Sequence, residues 1–547
     1  MSEKPVVRRW HDGADARRFR ELGLWGDATV AEIFDRQAES GPDKPAVLDG
    51  HRRWTYGELR DYSLRLAAAL PDLGVRPGDV VAAQVPSCSL LPVIHLAANR
   101  IGSVFLPLST TWRAAEVGAI LKVAQAPLVI VPGDDAAFDF AGMVEGLRAE
   151  LPALRRVITS GEGGELDELV LRTPLPSRER LEARRPSADD AAHAMTTSGT
   201  TGVPKVSLWS SNNLVVLLLQ QFAQAIALRR DDVAGALAPA NTGSTGYAFA
   251  VLAPLLAGAS SVMLEHWEPR AALELLSRNR CTYATAIPTQ MVQLLTLPIE
   301  DYDLSALDRF NNAGAPLAPA VAREIEARIG CRVQTIYGAT DGGVPVMTRV
   351  DDPDEPRQTS VGRLCIGQEL ALVDATGAAV PEGEPGEVVW RGANKSYGYL
   401  NQPDYDAAAW DKGWFKSGDL GQVDRDGYLH IVGRTKDMIL RGGTNIFPAE
   451  IEGLLMEHPA VGDIAIVGIP DRVLGERACA FVVPASGGSE PTLPDLCDYL
   501  LGRQIAKWKL PERIELVQEL PRNAGGKIDK QQLRERAAQL AAQEQTR

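Results

Sequence analysis

Short apolar runs of strand length alternate with longer apolar segments of helical spacing along much of the chain. The first series predicts strands at residues 79–85, 103–107 and 127–131, separated by helices at residues 90–100 and 113–123. A second alternating series covers residues 233–238, 250–256, 260–264, 270–277 and 282–287. Because strands that alternate with helices form parallel sheets covered on both faces, each series predicts one layered αβα sheet.

Capping residues indicate where two further helices begin. Thr29, with Glu32 three residues later, has the pattern of a capping box at a helix N-terminus. Asn212 and Asn213 are expected to cap a helix that begins at Leu214. Between the first cap and the first alternating series, the pattern predicts two short strands and one helix, at residues 46–48, 54–56 and 58–70.

The pattern changes in the last third of the chain. Residues 361–430 carry short strand-like runs between Gly and Pro turns, which predicts a β-rich subdomain. The chain after Gly433 has its own strand and helix pattern. The predicted fold class is therefore α/β. A large N-terminal domain of two layered αβα sheets plus a β-rich subdomain (residues 1–433) is followed by a hinge (residues 434–436) and a small, mobile α+β domain (residues 437–547).

Composition narrows the class of protein. The 547 residues carry a formal net charge of −14, which argues against nucleic-acid or anionic-membrane partners. The six cysteines include no C-x-x-C pair, so neither a disulfide framework nor a zinc site is indicated. The N-terminus is polar, and the longest apolar stretch, residues 214–228, is interrupted by glutamines and short for a membrane span. These features predict a cytoplasmic protein.

Residues 196–205 have the composition of a phosphate-binding loop. They contain five hydroxyl residues and two glycines and end on Lys205. Glycines let successive N–H groups converge on an anion, and the lysine adds positive charge. A Walker-type loop is excluded, because Val203-Pro204 separates the second glycine from the lysine and Val206 follows it. Taken alone, the segment could also be a solvated linker.

The loop resembles the phosphate loop of the adenylate-forming (AMP-binding) superfamily, in its AMP-forming acyl- and aryl-CoA synthetase branch. Five further motifs resemble that family in the same order, and the resemblance covers essentially the whole chain. They are residues 312–317 (NAGAPL), 337–341 (YGATD), 414–419 (WFKSGD), 433–437 (GRTKD) and 521–530 (PRNAGGKIDK).

The resemblance implies roles for individual residues. Tyr337 would stack on adenine, Thr340 would contact the α-phosphate, and Asp341 would bind Mg²⁺ although the family usually has Glu there. Lys527 would be the catalytic lysine of adenylation, together with Thr340, and Lys436 would be the hinge residue. The implied ATP- or AMP-binding set is Thr197, Ser198, Gly199, Thr200, Thr201, Gly202, Lys205, Gly314, Ala315, Pro316, Tyr337, Gly338, Ala339, Asp419 and Arg434, the last two at the ribose.

Ordinary structural explanations compete with these roles. Asp341 could be a turn residue at a strand end, and an isolated Asp, Arg or Lys in a loop is usually solvated. The occurrence of several motifs at the family's spacings favours the functional interpretation.

The implied reaction is ATP- and Mg²⁺-dependent activation of a carboxylic acid to an acyl-adenylate, followed by thioester formation with coenzyme A as the C-terminal domain rotates. Gly442 and Gly443 would border the thiol tunnel. Asn241, Tyr247, Tyr283 and Val344 are expected near the acid. Small polar residues with one or two tyrosines, and no acidic anchor for an ammonium group, favour a small aromatic or alicyclic acid.

Other functions remain open at this stage. The adenylate could pass to a carrier protein or another nucleophile, or nitrite could be activated to diazotise an aromatic amine. A non-catalytic nucleotide sensor is disfavoured because Lys527 and Asp419 are both present. Neither nucleic-acid nor integral-membrane association is expected, and the sequence is compatible with a homodimer.

Overall fold

The computed structural model describes residues 13–133, 138–161, 164–177, 179, 185–197, 204–441, 444–471, 473–485, 490–522 and 528–545. The chain divides into two compact units. The first comprises Met1–Leu317, Val321–Leu370 and Trp390–Phe415, and the second comprises Ala318–Ala320, Ala371–Val389 and Lys416–Arg547. The predicted α/β architecture, with layered sheets in a large N-terminal part and a small C-terminal domain, is confirmed.

The first alternating series forms a six-stranded sheet. All its neighbouring strands are parallel except the last pair, which is an antiparallel hairpin. Helices Tyr56–Ala69, Leu90–Arg100, Ala114–Ala124, Phe140–Gly146 and Glu165–Arg172 accompany it. In spatial order the strands are Arg156–Ser160, Leu128–Pro132, Val80–Ala83, Val104–Pro107, Ala191–Thr197 and Lys205–Ser210.

The second series forms most of a nine-stranded sheet, whose inner strands are parallel and whose edge pairs are antiparallel. Helices Val30–Ser40, Ala253–Ala257, Pro269–Arg278, Pro288–Leu295 and Pro319–Ile329 belong to the same part of the chain. In order the strands are Arg363–Leu364, Gly343–Met347, Arg332–Ala339, Arg309–Ala313, Tyr283–Ala286, Val233–Ala236, Ser260–Met263, Pro45–Leu48 and Arg53–Thr55.

Helix starts match the capping pattern in one case and differ in the other. The capping box of Thr29 and Glu32 is present at helix Val30–Ser40, as predicted. The predicted start at Leu214 is wrong, because the helix begins at Ser211 and Ser210 caps it by accepting from the Asn213 N–H at 3.2 Å. Asn212 cannot cap, since its side chain donates to the Gly26 carbonyl and to Asp189.

Two helical segments pass through π-helical turns. Helix Ser211–Val215 continues as a π-helix over Val216–Phe222 and ends with Ala223–Ala225. Thr245–Tyr247 continues as a π-helix over Ala248–Leu252 into Ala253–Ala257. Further helices, several of them single 3₁₀ turns, are Gly13–Glu21, Arg148–Glu150, Ile299–Asp301, Asp354–Thr359, Pro403–Ala409, Thr435–Asp437 and Lys507–Lys509.

The predicted β-rich region forms a sheet of five strands, Gln368–Val373, Gly386–Gly392, Trp410–Asp411, Trp414–Val423 and Leu429–Arg434. The last part of the chain forms a second five-stranded sheet with three helices. Its strands are Ile439–Arg441, Thr444–Ile446, Val461–Asp471, Gly475–Pro484 and Arg513–Leu516. Its helices are Pro448–Leu455, Leu493–Gly502 and Lys530–Gln545.

All six cysteines are free thiols, and five of them are buried. Burial raises the pKa of Cys88, Cys281, Cys331 and Cys365 to about 12. Cys497, in helix Leu493–Gly502, is only partly buried. No helix in the described part of the chain has the length and apolar content needed to cross a membrane.

Candidate active site

The predicted phosphate loop connects two strands of an antiparallel hairpin. Strand Ala191–Thr197 leads into it and strand Lys205–Ser210 leaves it, with Thr197 and Lys205 paired in register. Ser198, Gly199, Thr200, Thr201 and Gly202 lie outside the described residues, so their predicted roles stay predictions. The hairpin brings Thr197 and Lys205 together at its end.

Lys205 is held by a polar clamp and by two aromatic rings. Gln402 accepts from the Val206 N–H at 3.0 Å and donates to the Pro204 carbonyl at 3.0 Å, so one amide side chain fixes the backbone on both sides of Lys205. The Lys205 Nζ lies 5.2 Å from the ring centroid of Tyr399 and 5.0 Å from that of Tyr405. A cation over aromatic faces is stabilised electrostatically.

The strand that leaves the loop is tied to the 337–341 motif. The Thr340 carbonyl accepts from the Ser207 hydroxyl and from Trp209 Nε1, both at 3.1 Å. Tyr399 donates its hydroxyl to the Asp341 carboxylate. Burial, and then the negative charge of Asp341, raise the pKa of Tyr399. These contacts bring the Lys205 ammonium group close to the Thr340 carbonyl and the Asp341 carboxylate, which lie more than a hundred residues later in the sequence.

Glycines and close backbone packing shape the rest of this motif and the 312–317 segment. A Cβ at Gly338 would lie 2.3 Å from the Gly343 carbonyl oxygen, so the turn leaves no space for a larger residue. The Tyr337 ring contacts Trp390 edge-on, with centroids 6.0 Å apart. Gly314 has φ +88° and faces Thr245, while the carbonyl of Ala315, which precedes Pro316, accepts from Asn312 at 3.5 Å.

Asp419 and Arg434 lie opposite each other in the second compact unit. Strands Trp414–Val423 and Leu429–Arg434 pair them in register, and Arg434 Nε lies 2.7 Å from Asp419 Oδ1. Lys436 follows in the turn Thr435–Asp437. Burial and the nearby Arg434 lower the pKa of Lys436. Gly442, Gly443 and Lys527 lie outside the described residues.

The donor set fits a magnesium ion shared with a nucleotide. Among the residues that the structure describes, no group of three or more His, Cys, Asp or Glu side chains could form a complete metal cage. Magnesium is commonly held by one or two carboxylates, with phosphate and water supplying the other oxygens. Asp341 offers one such hard-oxygen ligand beside the end of the hairpin that carries Lys205.

The residues predicted near the acid have protein partners. Asn241 donates to the Thr110 hydroxyl at 3.2 Å, and the Val344 N–H donates to Asn394 at 3.3 Å. Tyr283 donates to the Phe249 carbonyl at 3.1 Å. Tyr247 is fully buried, with its hydroxyl 2.8 Å from His95 Nδ1. Their role as acid contacts stays a prediction.

Comparison with known proteins identifies this arrangement. The chain matches the model of the AMP-binding enzyme family over residues 34–400, which is more than half of its length. The chain belongs to the AMP-binding enzyme family. Residues 450–527 match the AMP-binding enzyme C-terminal domain. The predicted resemblance is therefore confirmed, and the protein is an AMP-forming ligase that uses ATP.

Named relatives of this AMP-binding enzyme cover nearly all of it. It is 34% identical to a medium-chain fatty-acid–CoA ligase of Escherichia coli (strain K12), covering 94% of this chain and 92% of the relative. It is 32% identical to a 2-hydroxy-7-methoxy-5-methyl-1-naphthoate–CoA ligase of Streptomyces carzinostaticus, over 97% of both chains. The structure of anthranilate CoA ligase AuaEII with anthranoyl-AMP matches with a TM-score of 0.86 and 26% identity, covering 95% and 99%.

A buried histidine cluster in this AMP-binding enzyme was not predicted. His95 and His193 pack 4.9 Å apart, measured between ring centroids, against Phe105 and Tyr247. His193 Nε2 donates to the Gly243 carbonyl at 3.0 Å. Burial lowers the pKa of His193 to about 4 and, with His193 as a smaller cause, lowers that of His95. The sequence signal for this cluster is the presence of a histidine in each of two otherwise mostly apolar segments, residues 90–100 and 191–197.

A row of buried polar side chains in the AMP-binding enzyme was also missed. Thr285, Asn311 and Gln334 are neighbours in register on three adjacent parallel strands, so their side chains share one face. The Thr285 hydroxyl and both amides have no hydrogen-bond partner among the described residues. On the same face, Tyr283 bonds to Phe249 and Arg309 bonds to the Ile226 carbonyl, so helical segments that include the π-helical turns cover it. The row becomes visible only once the strand register is known.

Proposed function

We propose that this enzyme activates a compact aromatic or alicyclic carboxylic acid with ATP and Mg²⁺ and then transfers the acyl group to coenzyme A. In the first step, a carboxylate oxygen attacks the α-phosphorus of ATP, and the bond to pyrophosphate breaks. In the second step, the thiol sulfur attacks the acyl carbon, AMP leaves with the electron pair of the acyl–oxygen bond, and the thiol proton passes to solvent.

The observation that carries this proposal is the junction of Lys205, Thr340 and Asp341. Tyr399, Gln402, Ser207 and Trp209 tie these three segments together within one compact unit. Phosphoryl and nucleotidyl transfer need positioned positive charge and oxygen ligands more than acid–base groups. The junction supplies both.

Each nucleotide contact is assigned in the same proposal. Lys205 and the loop before it would hold the phosphates, and Asp341 would hold Mg²⁺, which when bound neutralises phosphate charge. Tyr337 would stack on adenine, while Asp419 would accept from the ribose hydroxyls with Arg434 beside it. Lys527 would contact the acid and the α-phosphate during adenylation.

The acid is inferred from the buried polar row and from the relatives. Two of the relatives are named as ligases of naphthoate and anthranilate, which are aromatic acids with hydroxyl or amino substituents. The unpaired amides of Asn311 and Gln334 and the Thr285 hydroxyl could pair with such a substituent. An unpaired buried polar group costs roughly 1–3 kcal/mol, which a substrate hydrogen bond would offset. We therefore favour a polar-substituted ring over a long alkyl chain.

The acceptor is proposed to be coenzyme A, and the enzyme is proposed to act in the cytoplasm, where ATP and coenzyme A are available. Lys436 would serve as the hinge that exposes the adenylate to the thiol, and Gly442 and Gly443 would border the thiol tunnel. The fatty-acid, naphthoate and anthranilate relatives are all named as CoA ligases.

The experiment measures AMP and pyrophosphate release with ATP, Mg²⁺ and a panel of hydroxy- and amino-substituted aryl acids, alicyclic acids and fatty acids. Each acid is tested with and without coenzyme A, and products are identified by mass spectrometry. We expect acid-dependent pyrophosphate release, and an acyl-CoA product when coenzyme A is present. AMP release that ignores coenzyme A but responds to a carrier protein, an amine or nitrite would overturn the acceptor assignment. The variant Lys527→Ala should lose adenylate formation while still binding ATP.

A further inference from the structure

Tyr399 contacts both charged groups of the proposed phosphate site. It is 4% exposed, and its hydroxyl donates to Asp341 Oδ2. Its ring face lies 5.2 Å from the Lys205 Nζ. One buried side chain therefore touches the carboxylate proposed for Mg²⁺ and the cation proposed for phosphate.

Hydrogen bonds within the protein fix the backbone of Tyr399. Its N–H donates to Asp406 Oδ1 at 2.8 Å, and it forms an antiparallel bridge with Ser207 in the strand that leaves the phosphate loop. The neighbouring Leu400 N–H donates to the Val206 carbonyl at 2.8 Å, so this segment is attached to strand Lys205–Ser210 at two successive backbone positions. Gln402 completes the attachment on both sides of Lys205.

We propose that Tyr399 is a positioning residue that sets the Asp341 carboxylate and the Lys205 ammonium relative to each other for metal-bound ATP. The inference rests on the proposed function of this site. Asp341 is one methylene shorter than glutamate, so its reach is small and its orientation decides whether an oxygen meets the ion. The hydroxyl of Tyr399 donates to Oδ2 and restrains the carboxylate, so Oδ1 would be the oxygen offered to the metal.

A matched pair of variants separates the hydroxyl from the ring. Tyr399→Phe removes the donor to Asp341 and keeps the ring beside Lys205. Tyr405→Phe removes a hydroxyl from a ring at nearly the same distance from Lys205, 5.0 Å, but that hydroxyl has no described contact with Asp341. Binding of Mn²⁺·ATP to each purified protein is measured by electron paramagnetic resonance with no acid present, so the readout is independent of turnover.

We expect Tyr399→Phe to weaken Mn²⁺·ATP binding about tenfold, because a hydrogen bond to a charged group is lost. Tyr405→Phe should change it less than about twofold, since the Tyr405 hydroxyl has no charged partner among the residues that the structure describes. Affinity for metal-free ATP, measured with EDTA, should stay unchanged in Tyr399→Phe. It should fall in Tyr399→Leu, which also removes the ring beside Lys205.

In turnover assays, Tyr399→Phe should require a higher Mg²⁺ concentration while the KM for the acid stays constant. Unaltered Mn²⁺·ATP affinity in a Tyr399→Phe protein that unfolds at the wild-type temperature would overturn the proposal, as would tighter binding. These results are distinct from failure of the proposed function. In that case the wild-type protein binds Mn²⁺·ATP but releases no pyrophosphate with any acid.

Discussion

Gly243 and His193 together determine the conformation of the loop that carries Asn241, through one hydrogen bond and one positive φ angle. Gly243 has φ +76°, a conformation that residues with a Cβ rarely adopt. A Cβ there would lie 2.5 Å from Pro107 Cγ and 3.1 Å from His193 Nε2. Because the carbonyl of Gly243 can only accept, His193 Nε2 carries the proton of the neutral ring. The loop conformation therefore depends on a glycine and an uncharged imidazole.

His193 should make stability depend on pH in the acid range. The unfolded imidazole takes up a proton near pH 6.5, whereas burial keeps the folded ring neutral down to about 4. The unfolded state therefore binds more protons between these values, and His193 by itself contributes a fall of about 3 kcal/mol in the free energy of unfolding as pH drops from 6.5 to 4. Chemical denaturation of His193→Phe should show a loss over this range smaller by more than about 1 kcal/mol.

The control for this measurement is His266→Phe, whose histidine side chain is 80% exposed. It should reduce the acid-range loss of stability much less than His193→Phe does, because its ring is exposed. The absolute stability of His193→Phe should be lower at neutral pH, since the Gly243 carbonyl loses its donor. An unchanged slope between pH 6.5 and 4 would contradict the role assigned to the buried ring.

At the scale of secondary-structure elements, most of the helices and strands that the sequence predicted rest on local signals, chiefly the spacing of apolar residues. The period of apolar positions placed helix Leu90–Arg100 and the strands on either side, because that signal is contained in a few neighbouring residues. The π-helical segment Val216–Phe222 consists of residues that also occur in buried α-helices, so its sequence alone does not distinguish a π-helix from an α-helix. The polar row Thr285–Asn311–Gln334 depends on strand register between distant segments.

Replacing the polar row should separate stability from specificity. In Asn311→Leu/Gln334→Met, two unpaired buried amides give way to apolar groups, so the free energy of unfolding should rise by about 1–3 kcal/mol. Turnover of hydroxy- or amino-substituted acids should fall more than about tenfold in kcat/KM, because their substituent loses its partner. Turnover of unsubstituted acids should fall far less.

The matched control is Asn312→Leu, which alters the opposite face of the same strand. It should leave the preference for polar substituents unchanged. Equal losses for substituted and unsubstituted acids in the double variant would contradict the assignment of the row to the acid. Denaturant titration and the acid panel give the two readouts separately.

The whole molecule divides differently from the sequence-based boundary at residue 433. Besides the short piece Ala318–Ala320, the second unit comprises Ala371–Val389 and Lys416–Arg547, so it includes Asp419, Arg434 and Lys436. The sequence marked the change of composition near residue 361 but could not show which strands pack as one body. The hinge at residues 434–436 stays a prediction, since motion is not encoded in one conformation.

Restricting the predicted hinge should uncouple the two steps. Proline fixes φ near −65° and removes the backbone N–H, so Lys436→Pro should hold the chain in one state. We expect acid-dependent ATP–pyrophosphate exchange within about threefold of wild type and acyl-CoA formation reduced more than about a hundredfold. Lys436→Ala, which keeps backbone freedom, should retain both steps. Parallel loss of exchange and thioester formation in the proline variant would argue against a hinge at this position.

The distribution of buried and accessible cysteines makes the enzyme suited to site-specific fluorescent labelling. Five cysteines are enclosed in the protein, and Cys497 alone is partly accessible, in a helix of the second unit. A maleimide fluorophore added to the native enzyme should therefore attach at Cys497, without any cysteine having to be engineered or removed. The natural sequence thus carries a single attachment point from which rearrangement of the C-terminal domain during turnover can be followed in real time.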